Sequence, residues 1–241
     1  MMKAIITDIE GTTSSLSFVK EILFPYARDH ITAYITSHDD DPAIQEALNE
    51  ARKIAGAELT TDQLIEAFIQ WIDLDKKVTP LKTIQGLLWE KGYREGHFKG
   101  HIYADAVDSL RKWQRLGFKI FVYSSGSVYA QKLLFGHTEH GDLNPLFSGY
   151  FDTHIGVKTS PDSYSKIASS IEIQPENCLF LSDIKEELDA AHRSGMHVIW
   201  LTRTNRPDRR AVYPQVSSFN DIDPGIILNS KGTGLKSESM R

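Results

Sequence analysis

The stretch KAIITDIEGT, residues 3–12, joins a short apolar run to an acidic turn. The run from Lys3 to Thr7 is rich in β-branched residues. It is followed directly by a turn that contains Asp8, Glu10 and Gly11. A short apolar run bounded by acids and a glycine is typical of a buried strand followed by a loop. We therefore expect this run to form a strand of the main sheet, with Asp8 at its carboxyl end.

The same pattern recurs three times along the chain. Apolar runs precede polar residues at Phe118 to Tyr123, before the serine turn SSGS, at Cys178 to Ser182, before Asp183, and at His197 to Leu201, before Thr202. Helical patterns lie over Tyr103 to Leu116, Val128 to Phe135, Asp162 to Ile171 and Lys185 to Ser194. Strands that alternate with helices predict an α/β fold, a doubly wound parallel sheet covered on both faces.

A long segment near the start of the chain breaks this alternation. Residues 14–98 carry mostly helical patterns, so we expect an inserted helical cap there. Residues 1–13 and 99–228 would then form the α/β catalytic core. The end of the chain, 229–241, is polar and rich in small residues, which predicts a flexible tail.

Composition limits the class of partner. The chain has 241 residues and a formal net charge of -5, with acids and bases interspersed, which favours a small substrate over nucleic acid. No stretch approaches the ~18 apolar residues of a membrane span, and the first ten residues do not resemble a signal peptide. The single cysteine, Cys178, lies in an apolar run and is expected to be a buried structural thiol. We therefore expect a cytoplasmic protein without membrane partners, with a monomer as the default.

Asp8 and Glu10 are the first candidates for chemistry. A carboxylate at a strand end can attack phosphorus and form an aspartyl-phosphate, so Asp8 is the candidate nucleophile. Glu10 is suited to protonate the leaving oxygen and then to activate water. Mg²⁺ prefers oxygen ligands and usually takes one or two carboxylates, for which we choose Asp8 and Asp183. A solvated acidic turn is the alternative for the pair.

Three further residues are candidates for binding phosphate. Ser124 and Ser125 lie between a strand and a helix, where hydroxyls and backbone N–H groups can hold phosphate oxygens, although simple helix capping would also place serines there. Lys158 carries a compact positive charge, but a surface lysine is the alternative. The acids that follow Asp183, Glu186 and Glu187, are expected to face solvent. The joint order of acid pair, serine turn, lysine and second acid favours a site.

These ordered motifs resemble those of the haloacid dehalogenase superfamily of phosphatases over nearly the whole chain. Within it, Asp8-Ile9-Glu10-Gly11-Thr12 is similar to the first motif of the acireductone synthase family, the bifunctional enolase-phosphatases of methionine salvage. The resemblance implies that Asp8, Glu10 (through its side chain or its backbone carbonyl) and Asp183 bind Mg²⁺. It also implies that Ser124, Ser125 and Lys158 bind the substrate.

The resemblance further implies a substrate. That substrate is 2,3-diketo-5-methylthiopentyl 1-phosphate, which is enolised and then dephosphorylated to the acireductone 1,2-dihydroxy-3-keto-5-methylthiopentene and phosphate. Glu10, one methylene longer than aspartate, is the hypothetical enolising base. Two alternatives stay open: a phosphatase of the same superfamily for another small phosphomonoester, and a binding module that kept the fold without turnover. A dehalogenase is disfavoured because its chemistry needs neither a metal nor Glu10.

Overall fold

The computed structural model describes residues 3–56, 58–203, 208 and 210–229. Its strands are β1 (Ala4–Thr7), β2 (Lys119–Tyr123), β3 (Gly149–Phe151), β4 (Cys178–Ser182), β5 (His197–Leu201) and β6 (Gln215–Val216). Its α-helices are α1 (Phe24–Ser37), α2 (Pro42–Ala55), α3 (Thr61–Asp73), α4 (Thr79–Glu95), α5 (Ala104–Arg115), α6 (Val128–Gly136), α7 (Pro161–Ser170), α8 (Lys185–Arg193) and α9 (Pro224–Asn229). A π-helical segment, Phe18–Leu23, precedes α1. The predicted tail lies outside the described residues from residue 230 onward.

The six strands form one sheet in the order β3-β2-β1-β4-β5-β6, and every neighbouring pair is parallel. This confirms the predicted fold class. The sequence did not predict β6, because two residues are too short to show a periodic pattern. Its position depends on pairing with β5, where Trp200 N donates to Pro214 O.

Helices cover both faces of the sheet. On one face Ile6, Tyr123 and Phe180 share an apolar cluster with side chains of α7 and α8. Strand neighbours such as Ile5 and Leu179 point the other way and are also fully buried. Helices α5 and α9 pack against β2 and β4. Burial on both faces explains why these strands are continuous apolar runs rather than alternating ones.

The chain divides into two compact units. The core unit comprises the described residues of 1–13, 104–123 and 146–241, and the helical unit comprises those of 14–103 and 124–145. Residues 124–145 thus group with the helical unit, whereas the sequence assigned them to the α/β core. A compact unit need not be a domain, so the domain bounds given in the sequence analysis stay a prediction.

The helical unit has its own core. Side chains of α1 to α4, among them Ile31, Leu48 and Phe68, form one buried cluster. Helix α3 begins with a capping box, in which the Thr60 side chain accepts from Gln63 N and the Gln63 side chain accepts from Thr60 N. Across the parts of the chain that the structure describes, no helix is both long and apolar enough to cross a membrane.

Candidate active site

Asp8 is buried at the carboxyl end of β1, a strand in the middle of the sheet. It follows the last residue of β1, and its N–H continues the pairing with β4 by donating to Leu181 O at 2.9 Å. The Thr13 hydroxyl donates to the Asp8 carbonyl at 3.1 Å and so closes the loop behind it. The direction of strand order reverses between β1 and β4, and such switch points are where open α/β sheets bind ligands. The carboxylate of Asp8 is therefore fixed at the expected site.

Lys158 lies between two carboxylates. Its Nζ is 2.5 Å from Asp8 Oδ1 and 2.7 Å from Glu187 Oε2, and its side chain is 7% exposed. The Tyr164 hydroxyl donates to the Lys158 carbonyl at 2.7 Å and holds the loop that carries it. Burial alone would lower the pKa of Lys158, but the charges of Asp8 and Glu187 outweigh burial and raise it. Lys158 is thus an ammonium at neutral pH, and the surface alternative is wrong.

Asp183 lies at the end of β4 in a confined position. Burial raises its pKa to about 7, with smaller contributions from the negative charges of Asp8 and Glu10. Its buried Oδ1 accepts no hydrogen bond within the described part of the chain. Gly11 has a φ of +73°, and a side chain there would overlap the Asp183 carboxylate. Asp183 thus lies near a second carboxylate with one buried oxygen that accepts no hydrogen bond from the described residues, which suits a cation.

These residues fit Mg²⁺ as a two-carboxylate site. Within the described ranges no three or more His, Cys, Asp or Glu side chains are grouped as a metal cluster. The set of Asp8, Glu10 and Asp183 therefore does not appear as three converging side chains. If Glu10 contributes its backbone carbonyl instead, two carboxylates are left, which is the number that Mg²⁺ usually takes.

Ser124 and Ser125 belong to the helical unit. Ser124 directly follows β2 and is buried, and its hydroxyl accepts from Gly126 N at 3.2 Å. The Ser125 carbonyl accepts a hydrogen bond from Lys82 Nζ at 3.0 Å. Helix capping, the alternative for this turn, applies to Ser127, whose side chain accepts from Ala130 N. The structure brings Asp8, Lys158 and Asp183 together in the core unit, while the roles of the two serines stay a prediction.

Glu187 is the site residue that the sequence analysis missed. The expectation that the acids after Asp183 face solvent is wrong for it, since it is 8% exposed and accepts from the Ser182 hydroxyl at 2.9 Å. Burial and the charge of Asp8 raise its pKa, because two carboxylates share one ammonium. Helical spacing was the available signal, since buried Ala190 and Ala191 follow it by three and four residues.

Cys178 lies apart from this chemistry. It is fully buried in β4, and burial, with a smaller contribution from Glu176, raises its pKa to about 12. A thiol with so high a pKa is not nucleophilic at neutral pH. The predicted structural thiol is confirmed.

Comparison with known proteins identifies the family. The model of the haloacid dehalogenase-like hydrolase family matches residues 2–195. The chain belongs to this family. The haloacid dehalogenase-like chain is 53% identical to Enolase-phosphatase E1 of Thioalkalivibrio sulfidiphilus over 92% of its own length and 99% of that protein. It is 50% identical to Enolase-phosphatase E1 of Methylococcus capsulatus, with 94% and 100% covered.

A solved structure agrees with this placement. The crystal structure of the UTR4 protein of Saccharomyces cerevisiae superposes with a TM-score of 0.78 at 32% identity, covering 92% of this chain and 100% of that one. The predicted family and the predicted hydrolase class are thereby confirmed. The match extends over both compact units, so the helical segment is part of the shared architecture.

Proposed function

We propose that this hydrolase is a Mg²⁺-dependent enolase-phosphatase of methionine salvage. Its substrate is 2,3-diketo-5-methylthiopentyl 1-phosphate, and its products are 1,2-dihydroxy-3-keto-5-methylthiopentene and phosphate. The observation that carries the proposal is the buried contact of Lys158 with Asp8, beside the partnerless oxygen of Asp183. The similarity to two proteins named Enolase-phosphatase E1 supports the choice of substrate.

Asp8 is the nucleophile of the phosphatase step. Lys158 holds Oδ1, so we assign the attack on phosphorus to Oδ2. The P–O bond to the substrate carbon breaks as the new P–O bond to Asp8 forms, and Glu10 protonates the leaving oxygen. Glu10 then takes a proton from water, which hydrolyses the aspartyl-phosphate and regenerates the free carboxylate. The charge of Lys158 offsets negative charge on the phosphoryl oxygens throughout.

Asp8 and Asp183 would hold the metal, together with the backbone carbonyl of Glu10. Bound Mg²⁺ supplies positive charge that reduces repulsion between the nucleophile and the phosphate. Asp183 suits this role because its Oδ1 is buried without a hydrogen-bond donor. Because Gly11 has no side chain, the Asp183 carboxylate can lie directly against its backbone.

Enolisation precedes phosphate release in this proposal. A base takes a proton from the carbon that carries the phosphate ester, and we assign that base to Glu10. Ser124 and Ser125 bind the substrate through their hydroxyls and backbone N–H groups. We further propose a cytoplasmic monomer that acts on a small metabolite and binds neither nucleic acid nor membranes.

The alternatives make different predictions. A phosphatase for another small phosphomonoester would release phosphate without forming an enol. A catalytically silent module would show neither reaction. The filled positions of Asp8, Lys158 and Asp183 favour an enzyme, since a binding module has no need for a buried nucleophile.

The test follows both reactions on the diketone phosphate, by enol absorbance and by phosphate release, with Mg²⁺ and with EDTA. Asp8→Asn removes the nucleophile, and Asp162→Asn, an exposed aspartate on α7, is the matched control. We expect metal-dependent enol formation followed by phosphate release in the wild type and the control. Asp8→Asn should lose phosphate release by at least about 1,000-fold. Phosphate release without any enol signal would contradict the enolase assignment and leave the phosphatase standing.

A further inference from the structure

The loop after β1 and the end of β4 meet closely within the core unit. The loop, residues 8–13, turns back on itself, because Thr12 N donates to Ile9 O at 3.2 Å. A side chain on Gly11 would overlap the Asp183 carboxylate, so the loop backbone and this carboxylate lie in direct contact. The spacing between the two segments therefore depends on what holds each backbone in place.

Two side chains at the end of β5 hold these two backbones. Trp200, within β5, donates from Nε1 to the Asp183 carbonyl at 2.9 Å. Arg203, two residues after the strand, donates from Nε to the Thr12 carbonyl at 2.9 Å. Both donors come from one short stretch of chain that belongs to neither segment. The end of β5 therefore fixes the first loop and the end of β4 relative to each other.

Arg203 is itself anchored in the core unit. Its side chain is 8% exposed, and its NH1 lies 2.7 Å from Asp105 Oδ2. Its Cζ lies 5.1 Å from the centroid of the Phe219 ring, within the range of a cation–π contact. Because a guanidinium is planar and rigid, anchoring NH1 also sets the direction of the Nε–H bond toward Thr12.

Lysine could serve the ion pair but not the contact with the loop. In lysine a methylene takes the place of Nε, and the ammonium is a compact charge one bond further along the side chain. The Asp105 carboxylate requires only a positive charge beside it, whereas the Thr12 carbonyl requires a donor at the position of Nε. The arginine therefore links an anchor in the core to the first loop.

We propose that Arg203 and Trp200 are positioning residues for the ligands of Mg²⁺. Each acts through a backbone carbonyl in a segment that carries a ligand. The inference rests on the proposed function, in which Asp8 and Asp183 hold the metal. Two carboxylates repel each other, and Mg²⁺ demands near-ideal octahedral geometry. Holding both backbones in place beforehand reduces the cost of ordering the ligands and so raises the affinity.

Calorimetric Mg²⁺ titration of the metal-free protein tests the proposal without relying on turnover. Arg203→Lys keeps a charge for Asp105 and removes the Nε donor, and Trp200→Phe keeps an aromatic ring and removes the N–H donor. Arg193→Lys is the matched control, because Arg193 Nε also donates to a backbone carbonyl, that of Asp189 within α8. Urea unfolding establishes that each variant is folded and measures its stability.

Arg203→Lys and Trp200→Phe are each expected to weaken Mg²⁺ binding by about 10-fold, as is typical when an outer partner of a metal ligand is lost. Arg193→Lys should keep the affinity of the wild type. An unchanged affinity in a folded variant would overturn the assignment for that residue and show that its hydrogen bond serves folding alone. A wild type that binds no Mg²⁺ would instead refute the metal site of the proposed function.

Discussion

The Nζ atom of Lys158 lies 2.7 Å from Oε2 of Glu187, and the side chains of this ion pair are almost completely buried. The same ammonium lies 2.5 Å from Asp8, so Glu187 competes with the candidate nucleophile for one positive charge. Ser182 fixes Glu187 from the other side with a hydroxyl that donates at 2.9 Å. Glu187 is therefore a positioning residue for Lys158.

Glu187→Gln should lower kcat by about 10- to 100-fold, the range typical when a group that supports a metal ligand, here Asp8 through Lys158, is removed. Without the charge of Glu187, Lys158 pairs with Asp8 alone and holds the nucleophile more tightly. Steady-state phosphate release measures the effect. Glu186→Gln, on the exposed side of the same helical turn, is the control. Equal kcat values for the two variants would show that the pairing has no catalytic consequence.

Gly11→Ala should weaken Mg²⁺ binding by about 10-fold or more. The new methyl group would overlap the Asp183 carboxylate, and Gly11 has a φ of +73°, which disfavours alanine. Gly117→Ala is the control, because Gly117 has a φ of +86° with no atom within 4 Å of the added Cβ. It should lose about 1 kcal/mol of folding free energy and keep its metal affinity. Calorimetric Mg²⁺ titration of both variants decides the matter.

Asp183→Asn should stabilise the metal-free protein increasingly as the pH rises from 5 to 8. The folded-state pKa of Asp183 is about 7, above the value of an unfolded aspartate, so the wild type loses stability as the pH rises through 7. Asparagine does not ionise, so the variant does not lose stability in this way. In EDTA at pH 8 the melting temperature of the variant should exceed that of the wild type by roughly 3–6 °C.

Magnesium should reverse that order. Saturating Mg²⁺ raises the melting temperature of the wild type by binding the folded state, whereas Asp183→Asn gains little because it lacks the carboxylate. Parallel melts with and without metal measure both effects. An equal Mg²⁺-induced shift in both proteins would rule out Asp183 as a ligand.

Asp105→Asn should destabilise the core unit by about 3 kcal/mol at pH 7. The Asp105 carboxylate accepts from Arg203, Ser218 and Phe219 N, and Arg203 also donates to Thr12 O at 2.9 Å. Burial opposes ionisation of Asp105, but these hydrogen bonds outweigh burial and lower its pKa.

The contribution of the Asp105 carboxylate is present above the unfolded-state pKa and is lost as the pH falls through the folded-state pKa. Urea unfolding at pH 7 and pH 3 should therefore show a deficit for Asp105→Asn that shrinks in acid. Asp108→Asn, exposed on the same helix, should match the wild type at both pH values. A deficit of equal size at both pH values would mean that the ionised form is not what stabilises this contact.

The sequence by itself determined the fold class and most of the candidate chemistry. Short apolar runs followed by polar turns identify buried parallel strands locally, and β4 and β5 have the predicted bounds. Asp8 and Asp183 were found because each follows such a run, and Lys158 because it stands in order between the serine turn and the second acid. Each of these signals spans only a few neighbouring residues, so it is visible without knowledge of distant contacts.

Only the tertiary structure decided which of these residues form ion pairs with one another. The parallel ladder places β1 between β2 and β4, and this places Asp8 at the switch point of the sheet. Packing of α8 buries Glu187 against Lys158, although its local sequence is that of a solvated helical turn. The grouping of residues 124–145 with the helical unit and the contact of Lys82 with Ser125 also depend on packing. These pairings join segments far apart in sequence, and local periodicity, which can indicate a buried face, carries no information about which side chains meet there.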